Sequence, residues 1–298
     1  MLLAVDVGNT QTVIGLFDVD ESLEIEPKAG VNMALGGTRR SRSTGSAKRP
    51  ISSTKGGATP YGLKEHWRVA TVADRTADEH ALLITELLAL EDLDPSKVVT
   101  GVAITSSVPR VTAYLREMVR QRFATPLVVL EPGVKTGMPV LYDNPKEVGA
   151  DRIANAVGAY DLYGGPAIVV DLGTATTFDA ISAGGEYLGG AITPGIEISM
   201  DALFAQAAAL RRVELIEPRN VIGKSTVESI QSGAMYGFAA QVDGLCDRIE
   251  LELGECTVVA TGGLAELIAP LCARIDTVDP WLTLHGLRLI YERNLGLR

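Results

Sequence analysis

The sequence predicts an α/β protein made of two similar domains that face each other across a cleft, and three observations carry that reading. An apolar strand ends in Asp-x-Gly plus a small polar residue at Asp6-Val7-Gly8-Asn9-Thr10, and the pattern returns at Asp171-Leu172-Gly173-Thr174. A strand, a turn of small residues and a helix come late in each half, at residues 102–109 and again at residues 257–271. The chain has 298 residues, long for one core and suited to two. An internal repeat of this kind implies duplicated units. The division falls between residues 1–145 and 146–298.

The first element is an apolar strand over residues 2–6 that stops at Asp6, and Val13-Ile14-Gly15-Leu16-Phe17 resumes it. A strand that ends on a carboxylate, a glycine and two small polar residues is either a plain turn or a ligand site. Composition then changes. Residues 38–55, TRRSRSTGSAKRPISSTK, carry Arg39, Arg40, Arg42, Lys48, Arg49 and Lys55 without an acid. So little apolar surface predicts a mobile insertion over residues 24–64. A basic arm for nucleic acid is the sharper alternative, but no aromatics interleave with the charges. Order resumes with a strand at residues 67–72, and Thr76-Ala77-Asp78-Glu79 opens a helix with Ala81, Leu82, Ile84, Leu87, Leu88 and Leu90 on its apolar positions. A buried strand at 98–104 ends in Thr105-Ser106-Ser107-Val108-Pro109. A helix at 111–123, a short strand at 127–130 and a helix at 146–160 complete the first pass. The second pass has a strand, an Asp-x-Gly-Thr turn and a strand over residues 167–181, a third strand at 186–192, and a strand at 257–261 that turns through Gly262-Gly263 into a helix at 264–271.

Composition excludes several classes. At 46% hydrophobic and 21% charged the chain reads as an ordinary soluble protein, and a net charge of −10 makes nucleic acid an unexpected partner. No apolar run approaches the ~20 residues that cross a bilayer, so no membrane partner is expected, and the N-terminus does not resemble a signal peptide. Cys246, Cys256 and Cys272 form no C-x-x-C pair, and His66, His80 and His285 have no metal-ligand spacing. The reading is a cytoplasmic protein with free thiols.

A tight hairpin of Gly and Thr offers backbone N–H groups and hydroxyls to an anion. The carboxylate before it does the opposite, and must keep a cation or water between itself and phosphate. Two such hairpins across a cleft would clamp a polyphosphate from both sides. The bland alternative is a pair of type I′ turns. Competing motifs fail: Gly223-Lys224-Ser225 ends like a Walker A loop, but Pro218 stands where its first glycine belongs, and no G-x-G-x-x-G or G-x-S-x-G is present. Asp151 and Arg152 open a helix, where Asp151 could serve the helix dipole or act as a base, with Arg152 an anchor for an anion. The residues alone leave both open.

Asp6-Val7-Gly8-Asn9-Thr10, Gly149-Ala150-Asp151-Arg152, Asp171-Leu172-Gly173-Thr174 and Gly189-Gly190-Ala191-Ile192-Thr193-Pro194-Gly195 occur in the order seen in type III pantothenate kinases, followed by Ile222-Gly223-Lys224-Ser225-Thr226. The chain resembles that family over nearly its whole length outside residues 24–64. The resemblance implies the acetate kinase, sugar kinase, Hsp70 and actin superfamily: duplicated ribonuclease H-like (actin-like ATPase) domains, each a mixed sheet flanked by helices. It implies ATP-dependent phosphorylation of pantothenate to 4′-phosphopantothenate, the first step toward coenzyme A. By the same resemblance Asp151 is the base. Asp6, Val7, Gly8, Asn9, Thr10, Gln11, Thr12 and Val13 bind ATP, with Thr174 touching the terminal phosphates from the other half. Asp6 would hold Mg2+ directly or through water, and Asp171 would hold a monovalent cation, K+ or NH4+. Tyr142, Gly149, Ala150, Asp151, Arg152 and Thr226 would contact pantothenate in a pocket completed across a homodimer interface. Residues 189–195 are expected to shape the pocket, as a Gly/Pro turn that lets strand and helix pack closely. Two rival classes are another small-molecule kinase or phosphatase on the same fold, and a catalytically silent homologue acting as a regulator that reaches nucleic acid. Intact Asp6, Asp151 and Asp171 argue against the silent homologue.

Overall fold

A computed structural model describes residues 1–18, 60–207 and 210–297. The basic stretch at residues 38–55 lies outside them, as does most of the expected 24–64 insertion. The first half runs β1 (Leu2–Val7), β2 (Gln11–Phe17), β3 (Leu63–Ala70), α1 (Ala77–Ala89), α2 (Pro95–Val98), β4 (Gly101–Ser106), α3 (Pro109–Met118) and β5 (Leu127–Val129). The second runs α4 (Ala150–Tyr163), β6 (Ala167–Leu172), β7 (Ala175–Ile181), β8 (Tyr187–Pro194), α5 (Ile196–Gln206), α6 (Thr226–Leu253), β9 (Thr257–Thr261), α7 (Ala265–Ile268), β10 (Thr277–Val278) and α8 (Leu282–Asn294).

The duplication is complete at the level of topology. One five-stranded sheet has the order β3-β2-β1-β4-β5, and the other, read the same way, β8-β7-β6-β9-β10. In each, the first three strands are antiparallel neighbours and the last three parallel. Even the irregularity repeats, with a register shift at Leu16/Phe17 and another at Ala180/Ile181. A bulge bends an edge and re-aims the residues beyond it.

Strand periodicity decides which side of each sheet carries chemistry. Leu3, Val5 and Val7 pack outward with α1 and α3, while Leu2 and Ala4 face a core that holds α4 and α8. Ile168, Val170 and Leu172 pack with α6 and α7, while Ala167 and Val169 face that same central core. Asp6 and Asp171 continue the central face, so both carboxylates look toward one layer shared by the two sheets. Within that layer α4 and α8 cross closely: a Cβ on Gly158 would stand 2.7 Å from the Leu282 carbonyl, and one on Gly286 only 1.8 Å from that of Ala154.

Several boundaries differ from expectation for local reasons. β3 starts at Leu63 rather than residue 67, because Lys64 and His66 occupy the exposed side of an alternating edge strand. The helix expected from residue 146 begins at Ala150, after a 3-10 turn at Pro145–Glu147 and an extended Gly149 cap. Residues 189–194 belong to β8, and Gly195 is the extended cap of α5 rather than part of a turn. The helix expected at 264–271 is α7 followed by a 3-10 turn, Ala269–Leu271, that contains Pro270. Helices α5, α6 and α8 were not anticipated. The capping box at Thr76 and Glu79 forms as read. Among the described residues no helix is long and apolar enough to cross a membrane.

Candidate active site

The two hairpin tips meet. Gly8 donates to the Gln11 carbonyl at 3.0 Å and Gly173 to that of Ala175 at 3.1 Å. No residue in either tip has positive φ, which excludes type I′ turns. Each tip is braced by the residue after its third strand: Thr71 N–H donates to the Thr10 carbonyl at 3.0 Å, and Gly195 N–H to that of Thr174 at 3.1 Å. The Thr71 hydroxyl also donates to the Gly8 carbonyl at 2.8 Å. Across the gap Thr10 Oγ1 and Thr174 Oγ1 are 3.2 Å apart, within hydrogen-bond distance.

Beneath the tips lies a cavity of about 280 Å³, lined from both halves. Asp6, Gly8, Asn9, Thr10, Gln11 and Val13 line it from β1 and β2, Asp171 and Thr174 from the second hairpin, and Asp151 and Arg152 from the start of α4. Val7 and Thr12 do not. Val7 is buried in the outer core, and Thr12 Oγ1 lies 2.8 Å from Thr71 Oγ1. Tyr142, Gly149, Ala150 and Thr226 also lie off the cavity. Tyr142 rests against Gly189, where a Cβ would come within 3.2 Å of its ring. Thr226 is exposed at the start of α6. Gly149 has a steric role, since a Cβ there would stand 2.5 Å from Asp151 Oδ1.

The carboxylates are placed where charge is disfavoured. Burial, then Asp151 and Asp171, hold the Asp6 carboxyl well above its usual range, and Arg68 opposes them. Burial and Asp151 push Asp171 up to about 7, against a hydrogen bond from Asn155. That bond, Asn155 Nδ2 to Asp171 Oδ2 at 3.0 Å, leaves Asn155 Oδ1 to accept from the Thr283 hydroxyl at 2.6 Å. One buried amide thus ties α4, β6 and α8 together one helical turn from Asp151. Gly262 follows β9 with φ +93°, and a side chain there would run into Asp171 Oδ1 at 2.4 Å.

Arg152 is already engaged. Its Nε and Nη2 donate to Asp179 Oδ1 at 2.7 and 2.6 Å, and Asp179 also accepts from the Tyr187 hydroxyl at 2.7 Å and the Thr177 hydroxyl at 3.1 Å. Burial pushes the Asp179 carboxyl up while Arg152 and these hydroxyls pull it back. Sequence reading missed Asp179, Asn155, Arg68, Glu197 and Thr283. A signal existed for Asp179, a carboxylate inside Phe178-Asp179-Ala180-Ile181 that burial obliges to find a partner. Nothing in the sequence marked Arg68 or Thr283.

Among the described residues no three His, Cys, Asp or Glu side chains gather closely enough to form a metal cage. Mg2+ needs none, being held by one or two carboxylates with waters and substrate phosphates. Buried carboxylates that raise one another are a donor set a hard cation relieves.

The family model for type III pantothenate kinases matches residues 52–248. Type III pantothenate kinases of Streptomyces griseus and Moorella thermoacetica are each 50% identical to the chain, over 99% of its length and 99% and 100% of theirs. Among solved structures, a protein from Campylobacter jejuni described as a Baf family transcriptional activator superposes with a TM-score of 0.55 at 16% identity, covering 99% of both chains. The activator of 2-hydroxyisocaproyl-CoA dehydratase from Clostridium difficile, solved with bound ADPNP, gives 0.52 at 10% identity, covering 99% of this chain and 96% of that one. At those identities the two structures speak to the fold alone.

Proposed function

The chain belongs to the type III pantothenate kinase family and phosphorylates pantothenate with ATP, and from that premise we propose that the cleft between residues 1–145 and 146–298 carries the reaction with Asp151 as its base. The observation that carries this is the convergence of Asp6, Asp151, Asp171, Thr10 and Thr174 on one cavity from both halves. The acceptor hydroxyl of pantothenate gives its proton to the Asp151 carboxylate as its oxygen forms the new bond to the γ-phosphorus. The bond from that phosphorus to the β,γ-bridging oxygen breaks, and ADP leaves. Such transfers pass through a loose transition state, so the base chiefly orients the nucleophile while fixed donors stabilise the phosphoryl oxygens. Asn9, Thr10 and Thr174 supply those donors, while Gly8, its N–H closing the turn onto Gln11, brings no side chain to block the phosphates, and the Thr10 and Thr174 hydroxyls exchange each other for phosphate. The product, 4′-phosphopantothenate, enters coenzyme A synthesis.

Asp6 would hold Mg2+, whose chemistry when bound is to offset charge on the β- and γ-phosphates. Asp171, oriented by Asn155, would hold K+ or NH4+. With Nε and Nη2 on Asp179, Arg152 offers pantothenate its remaining Nη1 donors. Tyr142 and Thr226 would reach pantothenate through a homodimer. Supporting this, the edge strand β8 exposes Ile192 at 62% and Leu188, and Val221 and Ile222 stand exposed just before α6. The proposed compartment is the cytoplasm, where the free thiols of Cys246, Cys256 and Cys272 persist.

Asp151→Asn tests the base. In a coupled assay with pantothenate, ATP, Mg2+ and K+, turnover should fall roughly 10²–10⁴-fold while ATP affinity holds and the melting temperature does not fall. Full activity would overturn the assignment. Sugars and acetate offered as acceptors to the parent chain check the substrate, and neither should replace pantothenate.

A further inference from the structure

Two arginines reach the cleft, and they differ in what balances their charge. Arg152 is buried, and its guanidinium is neutralised by Asp179 inside the protein. Arg68 is exposed on β3, across from Val13 of β2, and makes no ion pair among the described residues. Its side chain lines the cavity and extends toward the turn after β9, where a Cβ on Gly263 would stand 3.6 Å from Arg68 Nη1. The same Cβ would be 3.8 Å from Gln11 Oε1, so Arg68 lies at the seam between the first hairpin and the second half.

The other charged groups lining the cavity are Asp6, Asp151, Asp171 and Glu197, all acids. A nucleotide polyphosphate therefore enters a cleft whose own field opposes it, and Arg68 is the one lining cation, among the described residues, that forms no ion pair with a carboxylate. A guanidinium presents a planar fork that pairs with two phosphate oxygens at once. Among the described residues no ion pair must be broken before Arg68 meets an anion. Arg68 stands beside the first hairpin, since its Nη1 and Gln11 Oε1 both lie next to Gly263.

We infer that Arg68 binds the phosphate chain of the nucleotide, joining β3 of one half to the Gly262-Gly263 turn of the other through the bound anion. This rests on reading the cleft as the ATP site.

The test is calorimetric titration of the full chain, its Arg68→Ala variant and its Arg68→Lys variant with adenosine, ADP and a non-hydrolysable ATP analogue, each with Mg2+. In Arg68→Ala, adenosine affinity should stay unchanged, and analogue affinity should fall about 10–100-fold, the range of a charge-assisted hydrogen-bond pair. ADP should lie between, and Arg68→Lys should retain part of the analogue affinity. Added guanidinium should restore part of the turnover of Arg68→Ala, which a merely structural defect would not allow. Unchanged analogue affinity, or equal losses for adenosine and analogue, would overturn the inference while leaving the ATP site in place. If Arg68→Ala failed to fold, Arg68→Lys would decide on the same criterion. A parent chain that bound none of the three would overturn both readings.

Discussion

Arg152 is 7% exposed and Asp179 0%, and each charge tolerates that burial only because the other is there. Desolvating an isolated ion costs far more than a folded chain can spare, so breaking such a pair by removing one partner destabilises by about 3–5 kcal/mol. The pair also has a geometric consequence. Asp179 is held by Tyr187 and Thr177 as well, so it fixes the plane of the guanidinium and the direction of its free donors. Asp179→Asn is therefore expected to lower the melting temperature and raise KM for pantothenate more than it lowers kcat. In an Arg152→Ala background the KM effect should largely vanish, and a double-mutant cycle measures that. Additive effects would mean the two residues act separately. At this scale the sequence displayed the cleft carboxylates well. Asp6 and Asp171 end apolar strands before glycine, and Asp151 opens a helix. Asp179 was visible as a charge inside a buried strand, but its partner lies 27 residues away, and only the fold says which cation meets it.

The hairpin strands and β4, buried on both faces, were legible as short apolar runs bounded by glycine and small polar residues. α1 was legible because one of its faces is buried and the other is not, a 3.6 pattern with a local cap. α8 has no such stripe. It lies between two sheets, so His285, Gly286, Leu287, Arg288, Leu289 and Ile290 are all buried and no polar face remains to betray a period. In α6 large apolar residues such as Ile230, Met235, Phe238, Val242 and Leu245 are present, but Gly233, Gly237 and Gly244 dilute helix propensity. The Ser225 cap, accepting from Glu228 N–H, was the one usable signal. The crossing of α4 and α8 explains a different glycine. Gly286 meets the Ala154 carbonyl so closely that any Cβ must push the helices apart. That would drag Thr283 away from Asn155, which holds Asp171. Gly286→Ala is thus expected to cost more than the ~1–3 kcal/mol of ordinary overpacking and to lower kcat. Gly244→Ala, in the same kind of helix with nothing within 4 Å, should instead stabilise by roughly 0.4–1 kcal/mol. Paired thermal melts and assays of the two variants separate close approach from simple helix propensity.

At the scale of the whole molecule, the duplication is what the sequence announced most clearly, because the same hairpin must bring the same residues to the same strand ends. Duplication also brings two buried carboxylates to one shared layer in a chain of net charge −10, and the folded state carries the strain of that arrangement. The pH dependence comes from Asp171, whose carboxyl is pushed up to about 7 by burial first and Asp151 second. An unfolded chain releases that proton near pH ~4. Between those values the native state binds a proton that the unfolded state lacks. The stabilisation from Asp171 is therefore complete below pH ~4 and is lost as pH rises through about 7. Asp6, raised in the same direction, adds to the trend. Replacing Asp171 with Asn removes the charge that must be buried at high pH while keeping a group able to pair with Asn155. In the absence of nucleotide and added cation, Asp171→Asn should melt above the parent at about pH 8, with the gap closing toward about pH 5. The same variant should lose kinase activity. Differential scanning calorimetry across that range decides the matter: a gap that stays constant with pH would mean that the Asp171 carboxylate is not a source of strain in the folded chain. A gap that closes as expected would mean that the residue which costs stability at working pH is retained for the cation it would hold.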